Sequence, residues 1–323
     1  MERERAWAGA AVPWHLKSIS PPSDLDGSGI VVGMVDSGID LTLPDHTNRL
    51  ASGLEFGTLD LAGCHADPER CRFAASSRIV DLDTRRKHGS AVAAFLAGSI
   101  SGVSPGVFLR LAAVHPESAG SAAVVRLALE WLRTQPNFLG CARAVGCDVI
   151  SLSLATTEPD EFEDDLLQPI IDLRDRDKTL VVAGTGDIGN ALQCPGAYDC
   201  VVSVGEVDKG NLIAGSSGSG TNPSGIDRPD LCAPGYGVAY PTCNGTSGNL
   251  FGTSFSTPIV AGAAALIMQR FPVYRFNPIK VRALLLRMTR PVAGVQAPSG
   301  APPLSTAQLQ KMGGAGTLDL TAL

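Results

Sequence analysis

Gly252-Thr253-Ser254-Phe255-Ser256-Thr257-Pro258-Ile259-Val260-Ala261-Gly262 is the stretch on which the reading of this chain turns. A serine sits among small residues, directly before an Ala- and Gly-rich apolar run that ends at Met268. The pattern predicts a buried helix with Ser254 at its N-terminus. The unpaired N–H groups there, and the positive end of the helix dipole, favour a developing oxyanion. Ser and Thr are also ordinary N-caps, so the run alone is compatible with a plain helix start. A second Gly-Thr-Ser, at Gly245-Thr246-Ser247, leads into Gly248 and Asn249 instead of an apolar run, and reads as a loop.

Two other segments give the serine partners. Ile30-Val31-Val32-Gly33-Met34-Val35 is followed by Asp36-Ser37-Gly38-Ile39-Asp40, a buried strand ending in an acid and a Gly turn. In open α/β sheets, sites form at the carboxyl ends of strands. Lys87-His88-Gly89-Ser90 opens a helix of small residues, Ala91 to Gly98, with His88 at its start. His15, His46, His65 and His115 open no comparable helix. Asp36, His88 and Ser254 together supply what acyl transfer needs. Ser254 attacks a carbonyl, His88 takes and returns the proton, and Asp36 holds the tautomer and stabilises the imidazolium.

Between these segments, strands alternate with helices. Ile30–Val35, Leu109–Val114, Val149–Leu154, Leu180–Gly184 and Val201–Val204 read as strands. Ser90–Gly98, Ala122–Leu132, Asp164–Arg174, Thr257–Arg270 and Pro278–Met288 read as helices. The alternation predicts an α/β fold with a mostly parallel central sheet and helices on both faces. With 323 residues and 44% apolar content, the chain can bury one substantial core. A net charge of −6 argues against a nucleic-acid partner. The longest apolar run, Ile259–Met268, is too short to span a bilayer. Gly215–Gly220 reads as a flexible Gly/Ser loop, not a nucleotide fingerprint.

The order Asp, His, Ser and the motifs around it resemble the subtilisin-like serine peptidases, the subtilases. The resemblance runs from about Val12 to the C-terminus, so residues 1–11 read as an extension and 12–323 as one catalytic domain. Val12–Lys17 resembles the usual domain start, and Gly314–Asp319 the closing segment. Gly102–Gly106 with Leu109–Val114, Asp148–Leu154, Tyr198–Gly205 and Cys232–Gly235 also fit. The resemblance implies a peptide or protein substrate laid along Ser153, Leu154 and Ala155 by strand addition. It implies Ile188 and Gln193 near the S1 pocket, with Gln193 narrowing the floor. It implies no obligatory cofactor, although many subtilases carry weak calcium sites; no loop of alternating carboxylates is evident.

The chain departs from the family at the oxyanion hole. The usual Asn follows a strand ending in Ala-Gly; here Leu180-Val181-Val182-Ala183-Gly184-Thr185-Gly186 leads to Asp187. An ionised carboxylate cannot donate a hydrogen bond, and losing one donor costs about 10²–10³ in rate. Either Asp187 is protonated and donates beside the Ser254 N–H, or the hole is poor. The reading is therefore a serine endopeptidase, selective enough to be a processing enzyme. The alternatives are a transacylase or macrocyclase on the same triad, and a weak, peptide-binding pseudoprotease.

The acidic run Glu158–Asp165 reads as a solvated helix start or an attractor of basic substrates. The eight cysteines fall as near neighbours, Cys64/Cys71, Cys141/Cys147, Cys194/Cys200 and Cys232/Cys243. Local disulfides would place the protein in a secreted or periplasmic setting. Eight thiols would instead fit the cytoplasm, in keeping with the absence of a secretory signal in Met1–Trp7. Subtilases without a signal or pro-domain are known among bacterial peptide-maturation enzymes.

Overall fold

The computed structural model describes residues 12–47, 55–59, 73–74, 81, 83, 87–114, 122–137, 143–155, 164–242, 245–296 and 304–323. The N-terminal extension, the acidic run as far as Glu163, Cys64, Cys71, Cys141 and Cys243 lie outside the described residues.

Seven strands form the centre of the main sheet: β1 (Val31–Asp36), β2 (Glu55–Leu59), β3 (Phe108–Ala113), β4 (Val149–Leu152), β5 (Leu180–Gly184), β6 (Val202–Val207) and β7 (Leu231–Pro234). They lie side by side in the order β7-β6-β5-β4-β1-β3-β2, and every pairing among them is parallel. Strands β1, β4, β5 and β6 are buried along their whole length. A parallel strand covered on both faces calls for a mostly apolar sequence, which these segments carry apart from Asp36, Ser151, Ser203 and Glu206.

Helices α1 (Trp14–Ile19), α2 (His88–Ala97), α3 (Ala122–Thr134), α4 (Asp164–Asp175), α5 (Thr253–Arg270) and α6 (Pro278–Arg287) cover the sheet. Phe95 and Leu96 of α2, Ile259 to Met268 of α5 and Val281 and Leu285 of α6 join the core on one face. Val125, Leu129 and Leu132 of α3 pack with Ile170 and Leu173 of α4 in the core on the other. Helix α5 is apolar all round because it is buried all round, as a helix without a polar face must be.

Register sets the site. Val35 of β1 lies opposite Leu152 of β4, and Leu152 opposite Ala183 of β5. Asp36, Ser153 and Gly184, one residue further along each strand, therefore emerge together at the carboxyl edge.

Two expectations are corrected. Among the described residues there is no disulfide: Cys147, Cys194, Cys200 and Cys232 are buried thiols. Cys194 and Cys200 belong to the apolar core beneath α4 and do not bridge each other. Burial pushes the Cys200 thiol up to about 11, which keeps it neutral and unreactive. The expected disulfides fail for these residues, and with them their argument for an oxidising compartment. The Gly215–Gly220 segment is not a flexible loop. Ser217, Gly218 and Ser219 are buried, and the Gly218 N–H donates to the Gly186 carbonyl at 2.8 Å. No described helix is long and apolar enough to cross a membrane.

Candidate active site

Asp36 closes β1 and is only 5% exposed. Its Oδ1 accepts the Ser37 N–H at 2.7 Å and faces His88 Nδ1 at 2.8 Å. That contact fixes the tautomer with the proton on Nδ1, leaving Nε2 as the base. Oδ2 is buried and has no hydrogen-bond partner among the described residues, so the described hydrogen bonds to this carboxylate, from Ser37 and His88, both fall on Oδ1. Gly89 allows the approach: a Cβ there would lie 2.1 Å from the Gly38 carbonyl oxygen.

A second carboxylate, Asp81, holds this corner and escaped sequence reading. It is fully buried. It accepts Ser37 Oγ at 2.7 Å, Ser90 Oγ at 2.6 Å, and the N–H groups of Ser90 and Asp83 at 2.9 and 3.0 Å. Ser37 Oγ in turn accepts the Gly89 N–H at 2.9 Å. The network ties the end of β1 to the start of α2. Burial pushes the His88 pKa down and is the largest single effect. Asp36, then Asp81 and Asp83, more than offset it, so the net shift is upward. Asp81 lies in sequence with no apolar periodicity, and nothing in its spacing marks it.

Ser254 is the second residue of α5 and is partly exposed. The neighbouring Phe255 ring packs 5.5 Å from the His88 ring and 5.9 Å from Phe95. This contact sets the start of α5 against the start of α2. Ser254 Oγ donates to the Ser153 carbonyl at 3.4 Å, and no hydrogen bond joins it to His88. Catalytic hydrogen bonds are often loose without substrate. Pro258 has no N–H to give the Ser254 carbonyl four residues back. Ser153 Oγ supplies that bond instead, at 2.8 Å. The proline thus explains why a serine at the end of β4 is tied to the nucleophile. Gly245–Thr246, exposed, pairs antiparallel with Pro241–Thr242 and opens no helix.

Asp187 follows β5 and is exposed. Its Oδ1 accepts the Thr253 N–H at 2.8 Å and Thr253 Oγ1 at 3.1 Å. Oδ2 lies on the side of Gly252, 2.9 Å from where a Cβ would stand. Gly252 has φ +140, a conformation that L side chains rarely adopt. Gln193 is buried, and its Oε1 accepts the Asp187 N–H at 3.2 Å, so it braces the loop. Ile188 is 50% exposed beside it. Leu154 and Ala155 are half-buried at the end of β4.

A fourth carboxyl stands beneath. Glu206, in β6, is fully buried. Its Oε2 accepts the Gly252 N–H at 2.8 Å, and its Oε1 faces Ser216 Oγ at 2.6 Å. The sequence pattern ends this strand at Val204, three residues short of Val207, and so misses Glu206.

The model of the subtilase family matches residues 27–314. The chain is 29% identical over 270 residues to subtilisin Savinase of Lederbergia lenta, covering 81% of this chain and 86% of that protein. It is 29% identical over 270 residues to an alkaline protease of Alkalihalobacillus alcalophilus, again over 81% of this chain but 61% of that protein. Among solved structures it resembles that of the prenylagaramide maturation protease PagA, with a TM-score of 0.66, 23% identity, and coverage of 95% and 96% of the two chains. The chain belongs to the subtilase family of subtilisin-like serine peptidases.

Proposed function

We propose that residues 12–323 form one endopeptidase domain that cleaves a peptide bond through an acyl-enzyme on Ser254. The observation that carries the reading is the 2.8 Å contact between His88 Nδ1 and Asp36, with Phe255 packing the start of α5 onto the same imidazole. His88 takes the Ser254 proton as Oγ attacks, and returns it to the leaving amine. Ser153, Leu154 and Ala155 pair with the extended substrate, and Ile188 and Gln193 flank the residue before the scissile bond. The Ser254 N–H is one oxyanion donor. Asp187 is the other: its Oδ1 already accepts from Thr253, so Oδ2 is the oxygen left to meet the oxyanion, and a carboxyl donates there only as the neutral acid. A demanding oxyanion side suits selective processing of a precursor peptide, the role named for PagA, over general digestion.

Intact-mass analysis after fluorophosphonate treatment, from about pH 5 to 9, tests this beside Ser254→Ala. A single adduct that the variant lacks is expected. No adduct from folded protein at any pH overturns the reading in favour of a peptide-binding protein. With a peptide substrate, a released segment carrying one added water identifies hydrolysis, and a cyclised segment lighter by that water identifies acyl transfer to an amine.

A further inference from the structure

Glu206 is a buried acid that the hydrolytic cycle above leaves without a part. Its position is specific. Gly252 and Thr253 are the last two residues before the nucleophile, and each gives its N–H to a carboxyl: Gly252 to Glu206 and Thr253 to Asp187. Two acids thus hold consecutive amides at the point where the oxyanion develops. We propose that Glu206 is a positioning residue of the oxyanion side, forming with Asp187 a carboxyl couple that must hold at least one proton for Ser254 to turn over. The proposal rests on the assignment of Asp187 to the oxyanion hole.

The surroundings of Glu206 fit a neutral acid. From the loop after β5 it faces Asp187, and from β7 the Cys232 thiol, itself pushed up to about 12 by burial and by Glu206. From the buried 215–220 segment it faces the Ser216 hydroxyl, and the Ser217 hydroxyl accepts its own N–H at 3.0 Å. From the entrance to α5 comes only the Gly252 N–H. No Lys, Arg or His forms an ion pair with it among the described residues. Burial is the largest effect and pushes it up to about 7; the Ser216 hydrogen bond, next in size, opposes it, the charge of Asp187 adds to it, and the Gly252 N–H opposes it least.

The proton has a defined place. Both oxygens are acceptors, Oε2 of the Gly252 N–H and Oε1 of Ser216 Oγ; a proton taken up by the acid goes to Oε1, where the Ser216 hydroxyl can turn to accept it, because Gly252 offers only a donor. Gly235 makes room for the acid, since a Cβ there would stand 2.9 Å from Glu206 Cβ. When the couple holds a proton, one negative charge at most faces the oxyanion. When it holds none, two like charges share the entrance to the helix, and the alkoxide would be a third.

Two measurements test the couple. The first is the pH dependence of kcat/KM for the whole chain, Glu206→Gln and Asp187→Asn, on one peptide. The unaltered protein should lose about tenfold between pH 7 and 8.5, and Glu206→Gln less than about twofold, because the amide mimics the neutral acid. The loss should lie in kcat, not KM. The second follows the Glu206 carboxyl carbon by NMR in labelled protein. Its midpoint is expected near 7 and should fall in Asp187→Asn. An alkaline fall that Glu206→Gln leaves intact, or a midpoint at the ordinary glutamate value, overturns the couple. If Asp187→Asn alone removes the fall, the Asp187 assignment stands and the Glu206 role fails. If Ser254 reacts at no pH while the carbon titrates near 7 and shifts in Asp187→Asn, the peptidase reading fails and the couple stands. Thermal unfolding of Glu206→Gln separates misfolding from a changed profile, and the carbon titration does not need that variant.

Discussion

The two sides of Ser254 are built on different principles. On the base side, acids surround a group that must become positive. Asp36 touches His88, and Asp81 and Asp83 stand behind it. In the proposed cycle each carboxylate there helps the imidazolium that forms as Ser254 loses its proton. On the acceptor side, acids surround an oxygen that must become negative. Asp187 and Glu206 hold the amides just ahead of the nucleophile. The same residue types favour catalysis on one side and oppose it on the other unless they carry protons. A subtilase fold therefore does not fix the electrostatics of its own oxyanion hole.

Breaking the base side should have the largest effect. Ser254→Ala is expected to lower kcat by about 10⁶, and Asp36→Asn by about 10⁴, both read from peptide turnover. Asp81→Ala removes the acceptor of four hydrogen bonds. It should destabilise the fold by about 3 kcal/mol in a denaturant titration. It should also move the acidic limb of the rate profile to lower pH, because one of the charges that raise the His88 pKa is gone. An unmoved limb would mean that Asp81 is purely structural.

The acceptor side is sharpened by smaller changes. His88 must be neutral to act, so activity appears as pH rises through its raised pKa. It is lost again as Glu206 ionises near 7, giving a narrow optimum about neutrality. Asp187→Asn should raise kcat/KM about tenfold at pH 8, part of what one restored donor is worth, and flatten the alkaline fall. A broad alkaline plateau in the unaltered protein would erase the contrast between the two sides.

The same acid leaves a mark on stability. The folded-state pKa of Glu206 is raised, so its contribution is complete below the unfolded value near 4.5 and is lost as pH rises through about 7. Glu206→Gln should thus gain on the order of 2 kcal/mol at pH 8.5 relative to pH 5, measured by thermal unfolding. The smallest expected effect concerns the thiols. Peptide mapping after alkylation without reductant should find Cys194 and Cys200 modified, and reduction should leave the melting temperature unmoved. A bridge between them would instead add about 2–3 kcal/mol.

Much of this was legible in the chain. The strands at Val149 and Leu180, and the helices at Ala122 and Asp164, begin where their apolar patterns begin. Parallel strands buried on both faces and amphipathic helices have different periods, and those survive without a structure. Asp36, His88 and Ser254 stood out because each ends or opens an element. Asp81 and Glu206 did not, for opposite reasons. Asp81 sits in no periodic element, so only its three-dimensional partners reveal it. Glu206 sits inside a buried strand, where a charged residue reads as a strand end. The cysteines misled because closeness along the chain was taken for pairing. Cys194 and Cys200 instead fill apolar space beneath α4, where a small neutral thiol packs like any other hydrophobe.

Helix α5 carries Ser254 at one end, packs against α2 and against strands β4 to β7, and is buried at Thr253 and from Phe255 to Met268, with Ser254 partly exposed. Its side chains make up a large part of one core, so it cannot dock until that core exists. Asp36 and Ser254 are meanwhile contributed by distant parts of the chain, joined by long-range contacts that form slowly. In the proposed cycle Ser254 therefore comes into register with His88 only once that core has formed. Native-state hydrogen exchange should place the amides of α5 among the slowest, opening only when the whole domain does.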